Sequence, residues 1–130
     1  WQNLLGGVDT LHLRGKSVPL ISPIQFSLAY ETEVRNNLTL DLELNYLDKK
    51  YVSNDEENIE PQIPDYYIVN SYFSFVDKNY TLNFGVNNLF DEAAYDYAVS
   101  STFHNEAHYG LSNVYPLPDR NLFFNFGYTF

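Results

Sequence analysis

From Leu38 to Tyr46 apolar side chains hold every even position and polar ones every odd position, nine residues without an exception. A period of two sends successive side chains to opposite faces of an extended chain, so this segment reads as a strand with one oily and one wet face. The segments Ile24–Tyr30, Tyr80–Val86 and Leu122–Phe130 repeat the pattern, with Phe123 the one apolar residue on an otherwise polar side. A weaker run places Tyr67, Val69, Phe73 and Phe75 on one face and Asn70, Tyr72 and Ser74 on the other. Together these predict strands near 24–32, 38–48, 66–75, 80–90 and 119–130. No helical stripe of useful length competes; the one helix candidate is a turn or two around Asp91 to Tyr97.

The connections alternate in length. Residues 33–37 and 76–79 are hairpin-sized, whereas residues 49–65 and 91–118 are long, and residues 1–23 precede the first strand with Gly6, Gly7, Gly15, Pro19 and Pro23 as breakers. Long loops therefore gather at one end of the sheet and tight turns at the other, the arrangement of an outer-membrane barrel. An eleven-residue strand at about 3.3 Å per residue, tilted by about 45°, rises roughly 25 Å, the height of the apolar band of such a barrel. Aromatic residues also collect toward the strand ends: Tyr30, Phe73, Phe75, Tyr80, Tyr128 and Phe130 at the tight-turn end, and Tyr46, Tyr66, Tyr67 and Phe90 at the loop end. Half-wet rings suit the two membrane interfaces.

Cost decides which face meets lipid. Were the odd residues of 38–46 outward, Asp41 and Glu43 would sit in hydrocarbon as ionised carboxylates. The expectation is therefore that Asp41, Glu43, Asn45, Asn70, Asn83, Asn87 and Asn125 face a lumen. Alternation by itself requires only that one face be dry, so a soluble β-sandwich that binds carbohydrate or protein through its tyrosines stays open on these grounds.

Composition closes other classes. There is no cysteine, hence no disulfide framework and no thiolate metal site. No apolar run approaches the roughly 18 residues of a membrane-crossing helix. A net charge of −10 argues against a sequence-independent grip on nucleic acid. The first residue is Trp1, and no charged-then-apolar leader follows it, which reads as a mature or excised chain.

Candidate chemistry is sparse. His104 and His108 flank Glu106 in the longest loop at a spacing that would suit two metal ligands on a helical turn, but that stretch has no clear helix cap and lacks the zinc-protease order of residues. No metal or cofactor is expected. The acidic run 55–60 lacks the glycine turn and the spacing of a calcium loop and reads as a solvated crown. Tyr95, Tyr97, Tyr109 and Tyr115 offer apolar rings with hydroxyls to a ligand at the loop end, or to one another. Tyr95, Tyr97, His104, His108 and Tyr109 are the candidate ligand residues. No nucleophile, paired catalytic carboxylates or phosphate-cradling loop emerges, and no enzymatic activity is expected.

The C-terminal half carries a more specific signature. Phe84-Gly-Val-Asn-Asn-Leu-Phe-Asp91, then Tyr95, a long loop, Pro118-Asp-Arg120 and an aromatic-alternating last strand ending in Phe130 resemble the C-terminal end of TonB-dependent outer-membrane receptors. Pro19 to Pro23 and Pro61 to Pro64 are similar to the segments that lead into strands in that family, and the likeness runs over most of residues 18–130. The resemblance implies an all-β, antiparallel up-and-down transmembrane barrel of about 22 strands in the bacterial outer membrane. This chain would be five to six of its C-terminal strands, without the plug domain. It further implies import of a scarce nutrient such as an iron chelate, siderophore or haem, energised by TonB through the plug. Phe126, Tyr128 and Phe130 would be the signal read by the barrel assembly machinery. The remaining alternative of the same architecture is a non-transporting outer-membrane adhesin.

Overall fold

The computed structural model describes residues 12–99 and 113–130. Seven strands make up its regular structure: β1 (Gln25–Arg35), β2 (Leu38–Leu47), β3 (Tyr66–Asp77), β4 (Tyr80–Asn87), β5 (Tyr95–Val99), β6 (Asn113–Pro116) and β7 (Asn121–Tyr128). Five form one antiparallel sheet in the order β1-β2-β3-β4-β7, and β5 pairs with β6 in a separate two-stranded sheet. The fold is all-β and antiparallel, with no helix among the described residues. The helical turn expected around Asp91 to Tyr97 is absent: Tyr95–Val99 is β5, extended because it pairs with Asn113–Pro116 and bridges Ser53 to Val99.

Register places the side chains. Leu42 lies opposite Tyr30 on β1 and Ser71 on β3, and Leu44 opposite Leu28 and Val69. Farther along, Phe73 meets Phe84, which meets Phe124. Directly opposed residues share a face. The even positions of β1, β2, β4 and β7 and the odd positions of β3 therefore form one continuous apolar face across all five strands. Leu28 at 63% exposure, Phe84 at 41% and Phe124 at 69% show that among the described residues nothing covers it. Strands β5 and β6 touch each other and none of the other five, so among the described residues no second layer of strands lies on either side of the sheet.

The tight turns are locally encoded. Asn37 takes φ 69°, a left-handed conformation that asparagine tolerates well, and its carbonyl accepts from Val76 N at 2.9 Å. At the other turn Asn79 Nδ2 donates to Thr129 O at 2.7 Å, pinning the end of β7. Phe123, the exception to the alternation, has a physical cause. It lies opposite Gly85, where a Cβ would overlap the Phe123 ring and come within 2.7 Å of Tyr72 Cδ1. The ring fills the dent left by the missing side chain and sits 5.8 Å from Tyr72.

The buried core is small and lies beyond the sheet, at the end with the long loops. Val52, Ile63 and Ala98 are fully enclosed, with Leu20 and Tyr95 packed against them. The bridge between Lys50 and Ile63 prolongs the β2–β3 ladder in unchanged register. Ser53 N donates to Ala98 O at 2.8 Å and Leu20 N to Tyr51 O at 2.8 Å, so three sequence-distant segments form one cap.

Candidate functional site

Three regions carry the candidate chemistry: the polar face of the sheet, the turn at its loop end, and the cap above it.

On the polar face Asp41, Glu43 and Asn45 come from β2, Asn70 from β3, Asn83 and Asn87 from β4, and Asn125 from β7. All seven lie on the side opposite the apolar row. Asn70 Nδ2 donates to Glu43 Oε2 at 3.3 Å. Tyr72 donates its hydroxyl proton to Asn87 Oδ1 at 2.9 Å, and Asn87 Nδ2 donates to Asn121 Oδ1 at 2.8 Å. Ser27 Oγ donates to Asn45 Oδ1 at 2.6 Å, and Asn83 and Asn125 stand opposite each other across β4 and β7. Among the described residues the salt bridges are Lys50–Asp96 and Arg120–Asp91, so neither Asp41 nor Glu43 is ion-paired within the sheet.

The Asn88-to-Asp91 turn is a structural clasp. Asn88 is buried at 3% exposure with φ 51°. Its backbone N donates to Asn70 Oδ1 at 3.0 Å. Its side chain accepts from Glu92 N at 2.9 Å and donates to Glu92 O at 2.9 Å. Asp91 Oδ1 accepts from Arg120 N at 2.9 Å, tying the start of β7 to the end of β4. The motif that carries the family resemblance thus joins two neighbouring strands beneath a long excursion, and Asn70 links it onward to Glu43.

The cap contains two charged groups that alternation does not reveal. Lys50 is buried at 6% exposure and donates from Nζ to Asp96 Oδ1 at 2.8 Å. Asp55 is buried at 3%. Its two carboxylate oxygens accept from Ile59 N at 2.9 Å and Glu60 N at 3.2 Å. The acidic run is therefore not a wholly solvated crown, because its first carboxylate is folded into the loop as a backbone cap. Asn58 closes the loop onto the chain's earlier part, donating to Ser17 O at 3.0 Å and accepting from Ser17 N at 2.6 Å.

The candidate ligand residues separate. Tyr95 packs against the cap core, which leaves it the poorer ligand ring of the two tyrosines on β5. Tyr97 and Tyr115 form an edge-on pair with centroids 5.4 Å apart and stay exposed. His104, His108 and Tyr109 lie outside the described residues. Among the described residues no group of three His, Cys, Asp or Glu side chains could hold a metal ion. At the tight-turn end Tyr80 contacts Phe126 at 6.3 Å and Tyr128 at 5.1 Å, and Phe130 stands edge-on to Tyr128 at 4.9 Å. At the loop end Phe26 stacks on Tyr46 at 5.2 Å. Tyr66 departs from that girdle: it lies opposite Leu47 on the polar side and is buried. Tyr30 also departs, lying at mid-strand opposite Leu42.

No protein-family model matches the sequence, and no curated protein matches it significantly. Among solved structures the chain is similar to the ferric-catecholate import receptor Fiu from E. coli K12 in its closed form. The TM-score is 0.67 and the identity 17%, with 85% of this chain covered. The likeness is one of fold: an antiparallel β-sheet of the kind found in part of that receptor. The chain spans 14% of that receptor's length.

Proposed function

We propose that this chain is a stretch of the wall and outer loops of a TonB-energised outer-membrane transporter for an iron chelate. The observation that carries the reading is the uncovered apolar face running through five strands, backed by a polar face whose side chains hydrogen-bond along it. A soluble sandwich would need a second sheet over the apolar side, and among the described residues none is there. Sorted loops and aromatic rows near the two ends of the sheet favour the same reading. The similar structure is an import receptor for ferric catecholates, which supports an iron chelate as cargo and transport rather than catalysis as the activity.

The partners follow from the faces. Outer-membrane lipid wets the apolar row. A plug domain, through which TonB acts, meets Asp41, Glu43 and the asparagines and supplies cations to the two carboxylates. The rings of Phe126, Tyr128 and Phe130 are presented to the barrel assembly machinery. Tyr97, with His104, His108 and Tyr109 from the longest loop, meets the ligand.

A photocrosslinking side chain placed singly at Leu42, Phe84, Asn45 and Asn83 in the protein as encoded, in cells, tests this reading. Lipid adducts from Leu42 and Phe84, with protein adducts from Asn45 and Asn83, are expected. Protein adducts from all four would return the sheet to a soluble sandwich. Lipid adducts without any dependence of iron-limited growth on ferric catecholate would favour the adhesin.

A further inference from the structure

One residue joins the polar row of the sheet to the base of the longest loop. Asn70 lies directly opposite Glu43 in the β2–β3 ladder. Its side chain is used at both ends: Nδ2 donates to Glu43 Oε2 at 3.3 Å, and Oδ1 accepts from Asn88 N at 3.0 Å. An ionised carboxylate only accepts and a backbone N–H only donates, so a single orientation of the amide serves both. Turned over, it would set oxygen against oxygen and NH2 against N–H. The amide therefore has two discrete settings, and the carboxylate selects one.

Asn88 holds both feet of the excursion that leaves the sheet at Glu92 and returns at Pro118. Its Oδ1 accepts from Glu92 N at 2.9 Å, and its Nδ2 donates to Glu92 O at 2.9 Å and to Pro118 O at 3.4 Å. One step farther out, Leu117 N donates to Ala94 O at 2.8 Å and closes the same base. Asn88 is buried, so its backbone N–H has no ready water to turn to if Asn70 swings away. At the other end of the chain of bonds Glu43 is half-buried and, among the described residues, has no salt-bridge partner. Tyr72, next along β3 on the same face, gives its hydroxyl proton to Asn87.

We propose that Asn70 is a positioning residue through which the Glu43 carboxylate sets how firmly the base of the 92–118 excursion is closed. While Glu43 holds Nδ2, Oδ1 is aimed at Asn88 and the clasp is shut. An ammonium or guanidinium on the polar side of the sheet that draws Glu43 off Asn70 loosens the base. By linkage, an opened base releases Glu43 to that cation. The relay is built into this sheet and does not depend on the transporter reading.

Hydrogen exchange at the Glu92 and Leu117 amides of the detergent-purified protein, as encoded, reads the opening of the base, with the Phe84 amide in mid-β4 as reference for the sheet. Asn70→Ala strands the Asn88 N–H and should speed exchange at Glu92 and Leu117 by about 5- to 150-fold. Glu43→Ala acts at one remove and should speed the same two amides by about 2- to 30-fold. Glu43→Gln keeps a weaker, uncharged acceptor and should fall between Glu43→Ala and wild type. Asp41→Asn, which removes the next acid along β2 on that face, should leave both amides as they are. In the Asn70→Ala background Glu43→Ala should add nothing, the coupling expected of residues that act in series. Wild-type exchange at Glu92 and Leu117 in Glu43→Ala overturns the relay, and so does an effect of Glu43→Ala that persists in full without Asn70. Acceleration of equal size at Phe84 marks a general loosening and overturns it too. Should Asn70→Ala fail to fold, Glu43→Ala and Glu43→Gln set against Asp41→Asn still decide the matter.

Discussion

Leu42 sits at the middle of β2, and Leu38 four residues nearer the tight turn on the same apolar face. At about 3.4 Å per residue and about 45° of tilt the two differ in depth by roughly 9–10 Å. An apolar band of about 25 Å has a half-height of about 12 Å, which puts Leu38 close to its edge. Arginine should then cost about 2–4 kcal/mol at Leu42 and about 0–1 kcal/mol at Leu38. The corresponding losses in the folding constant are roughly 30- to 1,000-fold and at most about fivefold. Equilibrium unfolding of Leu42→Arg and Leu38→Arg in phospholipid vesicles, in the protein as encoded, measures the difference. A core of packed side chains would penalise both positions alike, because both are equally part of the row. Costs that agree within about 1 kcal/mol would refute lipid as the solvent of this face.

Gly85→Ala should destabilise by about 1–3 kcal/mol through overlap with the Phe123 ring. Adding Phe123→Ala should recover part of that loss, giving a coupling in a double-mutant cycle on the order of 0.5–3 kcal/mol. Asn88→Ala leaves Glu92 N without its acceptor and forces a non-asparagine residue into φ 51°. A loss of about 1–3 kcal/mol and faster proteolysis within residues 92–118 are expected. In the cap, Asp96→Asn strands the buried Lys50 ammonium, whereas Lys50→Met leaves only a carboxylate that is 59% exposed. Thermal unfolding should therefore show Asp96→Asn as the more damaging of the two.

The five strands of the sheet were legible because each has a dry and a wet side, and the register carries that contrast unbroken from Phe26 to Phe124. The hairpin of β5 and β6 was not legible. Asp91-Glu-Ala-Ala has good helix formers and β6 is only four residues long with Pro116 at its end, while the partner that extends β5 lies far away in sequence. Lys50 and Asp55 escaped for a related reason. A charged residue signals exposure in a sequence, and here backbone pairing of one and backbone donors to the other pull both inside. Phe123 illustrates the reverse case: it broke the alternation, and only its place opposite Gly85 shows why.

The outer margins of β1 and β7 present backbone donors and acceptors that no other described strand meets. In water such groups would be solvated at little cost. In hydrocarbon each one left unmet costs several kcal/mol, a penalty that accumulates along the full length of both margins. A sheet of this kind is therefore driven less to hide its oil than to complete a ring, and whatever strands flank it are selected first by hydrogen-bond closure.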